Sequence, residues 1–349
     1  MSVDATTLAR DLCRLRPAAP VYHLTAYGDG AVSPVEAQAP RGLASALAIG
    51  AFDGCHIGHR ELLERTVAFA RERGIAAVAV TFDPDPDEVV SSQPAAKLTA
   101  PADRLRALAT SGVDAVVVVP FNLALASLGH EQFFCDVLAT MLDIRAIHVG
   151  CDFRLGARGA STVDIIAAWG AQRGIEVFGH DLVLDGGHVV TATRIRGLIA
   201  EGDVSSAAVE LGRRYLVRGR VRAGRGQGTG MGFPTANIEV PAGICMPLDG
   251  VYAGFAVLDE PEGLEVWAAA VNVGIPPMFA DSALSCGLEA NLLGFSGDLY
   301  GREIAIAFDR RLRASTTFGS LDELIETVHR DIDTTRALLG DVRTVIARD

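Results

Sequence analysis

The sequence predicts an α/β domain built on a parallel sheet, followed by a small antiparallel β-barrel with a C-terminal helix. Three observations lead there. Between residue 45 and about 190, short apolar runs alternate with helical patterns, the rhythm of βαβ units. From Tyr215 onward the pattern changes to strand-like segments punctuated by Gly, Pro and Asn, as in small antiparallel barrels. The chain of 349 residues is long enough for two full cores at a prior of about 150 residues per domain.

Taken in order, residues 1–44 carry prolines, alanines and glycines without sustained periodicity and read as an extension with at most one short helix. The run Ala46-Leu47-Ala48-Ile49 reads as a buried strand, and Leu63, Val67 and Ala70 recur at i, i+4, i+7 in the helix expected after it. Apolar runs at 75–82, 115–120 and 144–149 supply further strands, separated by helical patterns near 103–111, 130–142 and 162–173. Two helical stretches, about 193–201 and 203–212, lead to the second domain, where 250–257 and 303–308 read as strands. A final helix over 321–339 presents apolar Leu324, Ile325, Val328 and Ile332 for packing. The expected division is an extension over 1–44, an α/β domain over 45–205 and a barrel domain over 206–349.

Thirty-one basic against forty-three acidic residues give a formal charge of −12, with no basic run. That argues against nucleic acid as a partner, because a phosphate backbone is neutralised by clustered cations. No stretch of about twenty apolar residues occurs and the N-terminus lacks a continuous apolar segment, so a cytoplasmic protein without a membrane partner is expected. Six cysteines without Cys-x-x-Cys spacing indicate neither a zinc ribbon nor a disulfide framework.

The segment Gly50-Ala51-Phe52-Asp53-Gly54-Cys55-His56-Ile57-Gly58-His59 ends the first strand, places two histidines three apart and leads into an amphipathic helix. Unpaired N–H groups and the positive dipole end at a helix start stabilise an anion, glycines let the backbone approach, and both imidazoles can reach one phosphate. Taken alone, the pair could equally be two solvated loop histidines or a metal pair. The whole string resembles the signature of the HxGH nucleotidyltransferase superfamily, in the variant seen in bacterial riboflavin kinase/FAD synthetases.

Further segments resemble that family in order. Val80-Thr81-Phe82-Asp83-Pro84-Asp85-Pro86 is similar to its T-F-E-P-H-P, Val149-Gly150-Cys151-Asp152-Phe153-Arg154-Leu155-Gly156 to its G-x-[DN]-F-R-F-G, and Thr191-Ala192-Thr193-Arg194-Ile195-Arg196 to its S-S-T-x-I-R. The resemblance implies a Rossmann-like domain that transfers AMP from ATP. It assigns His56 and His59 to the α-phosphate, Thr193 and Arg196 to the β- and γ-phosphates, Gly50, Phe52, Asp53 and Gly54 to the nucleotide-binding turn, and Asp152 to the nucleotide or flavin side. By themselves, Arg196 reads as a helix arginine pairing with Glu201 or an aspartate, and Asp152 as a turn cap.

In the second domain, glycine occupies every second position from Gly224 to Gly232, before Phe233-Pro234-Thr235-Ala236-Asn237. Most such runs are flexible hairpins, and this one is neither a Walker loop nor a Rossmann fingerprint. With its Pro-Thr-Ala-Asn it resembles the ATP/Mg²⁺ loop of riboflavin kinases. The resemblance implies nucleotide binding by Gly224, Gly232 and Pro234, with Thr235 and Asn237 as hard oxygen ligands for Mg²⁺. Leu288-Glu289-Ala290-Asn291-Leu292-Leu293 and Asp298-Leu299-Tyr300-Gly301 resemble the family's E-V-H-L-L and D-L-Y-G, which makes Glu289 the candidate base; an isolated Glu in such a strand is ordinarily its solvated face.

The resemblance, over roughly residues 45–340, implies a bifunctional enzyme that uses ATP and Mg²⁺ to turn riboflavin into FMN and FMN into FAD. FMN leaves one site to reach the other unless chains associate as a homo-oligomer. The sequence departs from the family pattern at Ala51, Asp85, Ala192, Pro276 and Asn291. A carboxylate near bound phosphates is adverse unless Asp85 turns away or binds metal. These departures leave two alternatives: a paralogue acting on a modified flavin or another nucleotide acceptor, and an inactive flavin-binding regulator.

Overall fold

The computed structural model of the chain describes residues 5–12, 18–36, 38–223, 233–274, 287–341 and 343–347. They form two compact units. The described residues of 18–95 and 101–191 make the first, while helix α1 (Ala5–Asp11), residues 96–100 and the described residues from 192 onward make the second.

The first unit is a parallel sheet of six strands: β1 (Val21–His23), β2 (Leu43–Ile49), β3 (Ala76–Asp83), β4 (Ala115–Pro120), β5 (Leu142–Gly150) and β6 (Glu176–His180). They pair in the order β1-β4-β3-β2-β5-β6, so the winding reverses between β2 and β5, the place where ligands bind in doubly wound sheets. Its helices are α2 (Ile57–Arg73), α3 (Pro86–Val90), α4 (Pro101–Ala109), α5 (Leu123–Ala126) and α6 (Val163–Ala171). Both sheet faces are covered, which is why its strands read as continuous apolar runs rather than alternating ones. Val78, Val80 and Phe82 of β3 enter one core. Ala77 and Ala79, with Ala46 and Ala48 of β2, enter the other beside Leu62, Leu63, Val67 and Ala70 of α2, where small side chains leave room for the helix.

The expected helix over 130–142 is broken. A short turn His130–Gln132 passes into a π-helical turn Phe133–Val137 and a 3-10 turn Leu138–Thr140 before β5 begins. Phe133, Phe134, Val137 and Leu138 are all buried, and the wider π turn places adjacent aromatics in one core at the cost of helical regularity.

Residues 1–44 are more than an extension. β1 pairs with β4, Val21 opposite Val116, and Leu24 and Val32 are buried in the sheet's core. In the second unit, α1 places Leu8 and Leu12 among barrel residues, and Asp11 pairs with Arg214. A three-residue strand and a two-turn helix are too short to show a period. The expected boundary at 205/206 also shifts: α7 (Ala192–Ala200) and α8 (Val204–Leu211) belong with the barrel unit, held by Leu248 N–H donating to Ile199 O (3.2 Å) and Ser205 Oγ donating to Asp309 O (3.1 Å).

The barrel strands are β7 (Tyr215–Arg222), β8 (Ala236–Glu239), β9 (Gly250–Glu260), β10 (Gly263–Val273), β11 (Leu288–Leu292) and β12 (Glu303–Ala314), with β13 (Arg343–Ala347) added at β10. Antiparallel pairings run β9-β12-β7-β8-β11-β10, and β9–β10 closes the ring. Tyr215, Tyr252 and Phe308 are buried together. The C-terminal helix α9 (Leu321–Leu339) starts at Ser320, whose Oγ accepts the Glu323 N–H, and sets Ile332 and Leu339 against Phe255, Val257, Leu264 and Val266. Arg313 holds Asp331 of that helix through both carboxylate oxygens.

Candidate functional site

The turn after β2 is tightly wound. Phe52 (φ 56°), Gly54 (φ 76°) and Cys55 (φ 41°) all occupy the left-handed region, a conformation that L residues hold only when their surroundings over-determine it. Here the surroundings do so: Phe52 is fully buried, Cys55 N–H donates to Phe52 O (3.0 Å), and Asp53 and Gly54 are buried between them. Ala51 O receives Thr81 Oγ1 (3.2 Å) and Arg104 Nη1 (3.3 Å). The chain thus leaves the turn aimed into α2.

His56 is the N-cap of α2. Its Nδ1 accepts the His59 N–H at 3.4 Å, so the neutral ring carries its proton on Nε2, the donor an anion requires. The His56 and His59 rings stack at 3.6 Å with 20° between planes, and Phe52 meets His59 edge-on at 5.2 Å. Gly58 makes this packing feasible, since a Cβ there would lie 3.2 Å from the His56 ring. Desolvation first, and the neighbouring His56 second, hold the His59 pKa well below its ordinary value, so the ring is neutral at pH 7. His59 Nδ1 is buried without a hydrogen-bond partner among the described residues.

Across the switch point, Gly150 ends β5 and Asp152 is exposed just beyond it. Between the turn and this segment opens a pocket of about 590 Å³. Gly50, Ala51, Phe82, Phe121, Phe133 and Phe153 form much of its wall. The sequence motifs contained Phe82 and Phe153; Leu125, Leu128, Phe133 and Arg158 were missed, because they come from short or broken helical turns without a periodic signal.

Asp85 is buried and caps α3, accepting the Asp87 N–H (3.3 Å) while Glu88 accepts the Asp85 N–H (2.9 Å). Its carboxylate also receives Arg104 Nη1 at 3.4 Å, and Arg104 Nη2 donates to Phe82 O at 2.6 Å. One buried guanidinium therefore ties together the ends of β2 and β3 and the start of α3.

Thr193 and Arg196 lie in the second unit, on α7, three residues apart and so on one helix face. Thr193 is exposed; Arg196 is half-buried and donates from Nε to Ala96 O (2.6 Å). Between them Arg194 pairs with the buried Glu210 (2.6 Å). His56 and His59 lie in the first unit.

On the barrel, Asn237 of β8 stands directly opposite Glu289 of β11, which stands opposite Asn272 of β10. Directly opposed residues share a sheet face, with Cβ atoms about 5 Å apart. Asn237, Asn272 and Glu289 are half-buried, and the half-buried Thr235 directly precedes β8. Asn291 Nδ2 donates to Pro234 O at 2.9 Å, fixing the entry to β8 from the strand that carries Glu289. Asn272 was not expected from sequence; its register position is visible only once β10 and β11 are paired. Gly224, Gly232 and Pro276 lie outside the described residues.

Residues 39–194 match the family model described as FAD synthetase, and residues 211–339 match that of riboflavin kinase. A bifunctional riboflavin kinase/FMN adenylyltransferase of Escherichia coli strain K12 is 34% identical over 295 residues, covering 84% of this chain and 92% of the relative. This chain belongs to the bifunctional riboflavin kinase/FMN adenylyltransferase family. The Pseudomonas fluorescens member is 32% identical, covering 83% of this chain and 91% of its own. A crystal structure titled as a macrolide-efflux protein from Streptococcus pneumoniae has a TM-score of 0.73 and 28% identity, covering 84% of this chain and 94% of that one.

Within the family, two departures have structural explanations. Asp85 turns its carboxylate to Arg104 and the α3 cap, and Asn291 serves the Pro234 carbonyl. Ala51 contributes its carbonyl, a backbone atom that any residue supplies, to Arg104 and Thr81. The substitution at Ala192, the first residue of α7, has no explanation in the structure.

Proposed function

We propose that this chain phosphorylates riboflavin with ATP to give FMN, and transfers AMP from a second ATP to FMN to give FAD and pyrophosphate. The observation that carries the acceptor is the phenylalanine-walled pocket of about 590 Å³ beside the His56–His59 turn, within the size range of cofactor sites. A flat apolar ring system fits such a wall.

In adenylylation the FMN phosphate oxygen attacks the α-phosphorus of ATP in line, and the bond to the pyrophosphate oxygen breaks. The protein's part is positioning and charge stabilisation. His56 donates from Nε2 to the α-phosphate, His59 flanks it, and the Gly50–Gly54 backbone and the α2 N-terminus support the negative charge. Asp152 orients the nucleotide or flavin.

In phosphorylation Glu289 takes the proton of the terminal ribityl hydroxyl as its oxygen attacks the γ-phosphorus and ADP departs. Thr235 and Asn237 offer hydroxyl and amide oxygens, hard donors suited to Mg²⁺. Among the described residues no cluster of three or more His, Cys, Asp or Glu side chains forms a metal cage, so those two donors fit an ion shared with nucleotide phosphates and water. Mg²⁺ bound there neutralises phosphate charge. No helix among the described residues is long and apolar enough to cross a membrane, and we place the reactions in the cytoplasm.

Incubation of the purified chain with riboflavin, ATP and Mg²⁺, followed by chromatographic separation, tests the proposal. FMN and FAD are expected. FMN without FAD would overturn the adenylylation half, and neither product would overturn both.

A further inference from the structure

The wall of the first unit's pocket is apolar except at one corner. Among the described residues, Arg154 and Arg158 are the only charged ones lining it. Both are exposed, and neither has a hydrogen-bond or ion-pair partner among the described residues. This sets them apart from Arg104, Arg194, Arg214 and Arg313, each of which holds a carboxylate. In a chain of net charge −12, two exposed guanidiniums that line an apolar wall without carboxylate partners suit an amphiphilic anion.

The backbone adds a second observation. Arg158 sits at φ 55°, ψ 27° in the 3-10 turn Ala157–Gly159, one of three non-glycine residues with positive φ among the described residues. The other two, Phe52 and Cys55, belong to the histidine turn, whose Gly50 and Ala51 line the same pocket as Arg158. Gly159 packs against the stem of Arg154, where a Cβ would approach within 3.3 Å of Arg154 Cβ. The turn is thereby folded back onto Arg154, and both arginines line the pocket. A left-handed conformation is costly for a side-chain-bearing residue, and an arginine kept there is a reason to look for what its guanidinium binds.

We propose that Arg158, supported by Arg154, recognises the phosphate of the flavin acceptor and so selects FMN over riboflavin at this pocket. The inference rests on the adenylylation reading above. FMN differs from riboflavin by a phosphate dianion. Guanidinium groups bind such a group through two parallel N–H···O bonds, a geometry that neither the apolar wall nor a neutral imidazole supplies. The apolar wall holds the ring system common to both flavins, and the arginines supply the preference.

Arg158→Gly is the informative variant, because glycine adopts the local backbone without strain and the change removes only the side chain. In the full-length protein, Arg158→Gly is expected to raise KM for FMN in FAD formation on the order of tenfold, the scale of one charge-assisted contact. At saturating FMN, kcat should be retained, KM for ATP should not change, and riboflavin phosphorylation should stay at the parental rate. Arg158→Lys should fall between the parent and Arg158→Gly. Flavin fluorescence titration should show weaker FMN binding in Arg158→Gly with riboflavin binding unaltered, and higher salt should narrow the difference. A parental KM for FMN in Arg158→Gly, or equal loss of FMN and riboflavin binding, would overturn the proposal. If the parent forms no FAD from FMN, the adenylylation reading fails, and the titration still decides this inference: equal FMN affinity in parent and variant overturns it.

Discussion

The Asp85 carboxylate lies 3.4 Å from Arg104 Nη1, and both side chains are buried. The pair answers the electrostatic difficulty that a carboxylate poses beside the proposed phosphate site: the charge is neutralised internally, and the same guanidinium braces Ala51 O and Phe82 O. Removing Asp85 leaves the buried Arg104 with the Ala51 and Phe82 carbonyls and a 3.9 Å contact to the half-exposed Asp83, and breaking a buried ion pair costs about 3–5 kcal/mol. Asp85→Ala should therefore lower the free energy of unfolding by about 3 kcal/mol, measured by urea denaturation. Asp85→His places an imidazole where Arg104 expects an anion, so it should reduce both stability and FAD formation rather than restore activity. Parental stability in Asp85→Ala would show that the pair contributes nothing.

His59→Ala tests the histidine turn. The His56–His59 stack at 3.6 Å and the edge contact to Phe52 fix the ring beside the proposed α-phosphate site, and losing one preorganised group of that kind costs on the order of 10²–10³-fold in rate. FAD formation should fall by that amount while riboflavin phosphorylation persists, because Glu289 lies in the other unit. If FAD formation stays near the parental rate, His59 is not part of the reaction.

Protonation of a second histidine pair predicts a pH effect on stability. His148 Nδ1 lies 2.9 Å from His180 Nε2, and His148 is buried against Phe69 and Phe178. Desolvation, then the charge of His180, lowers the His148 pKa from 6.5 to about 4. Between those values the unfolded chain binds a proton that the folded chain refuses, so stability falls as pH drops from 6.5 and levels off below about 4. At about 1.4 kcal/mol per unit, the ceiling is about 3 kcal/mol. His180 is shifted in the same direction, by burial first, and steepens the slope. Urea unfolding of parent and His148→Phe across pH 4.5–7 (roughly the titration window) should show a flatter profile in the variant. An unchanged profile would assign the titration elsewhere.

How far each feature was legible depended on its physical scale. The strands β3 and β4 and the helix α2 were readable because burial on both faces, or on one stripe, imposes a long apolar pattern. The three residues of β1 carry no period, and their place beside β4 is set by pairing across nearly a hundred positions. His56, His59 and Asp152 are candidates that sequence alone offers, because each sits in a contiguous motif. Arg104 and Asp85 meet only through the sheet, Asn272 meets Glu289 only through strand register, and Arg158 owes its interest to a backbone angle no motif encodes.

The barrel row supplies the last prediction. Asn237 and Glu289 are direct cross-strand neighbours, yet their proposed tasks differ, since one holds a metal-bound nucleotide and the other takes a proton. Glu289→Gln keeps the shape and removes the base, so FMN formation should drop on the order of 10²–10⁴-fold while supplied FMN is still converted to FAD. The Mg²⁺ concentration for half-maximal activity should hardly move, because the amide oxygen of Asn237 is intact. Asn237→Ala should instead raise that Mg²⁺ requirement, with the residual rate recovering at high Mg²⁺. The two variants thus separate along different axes of one assay, rate at saturation against metal dependence. A Glu289→Gln protein that phosphorylates riboflavin at the parental rate would remove Glu289 as the base, and an unshifted Mg²⁺ requirement in Asn237→Ala would remove Asn237 as a ligand.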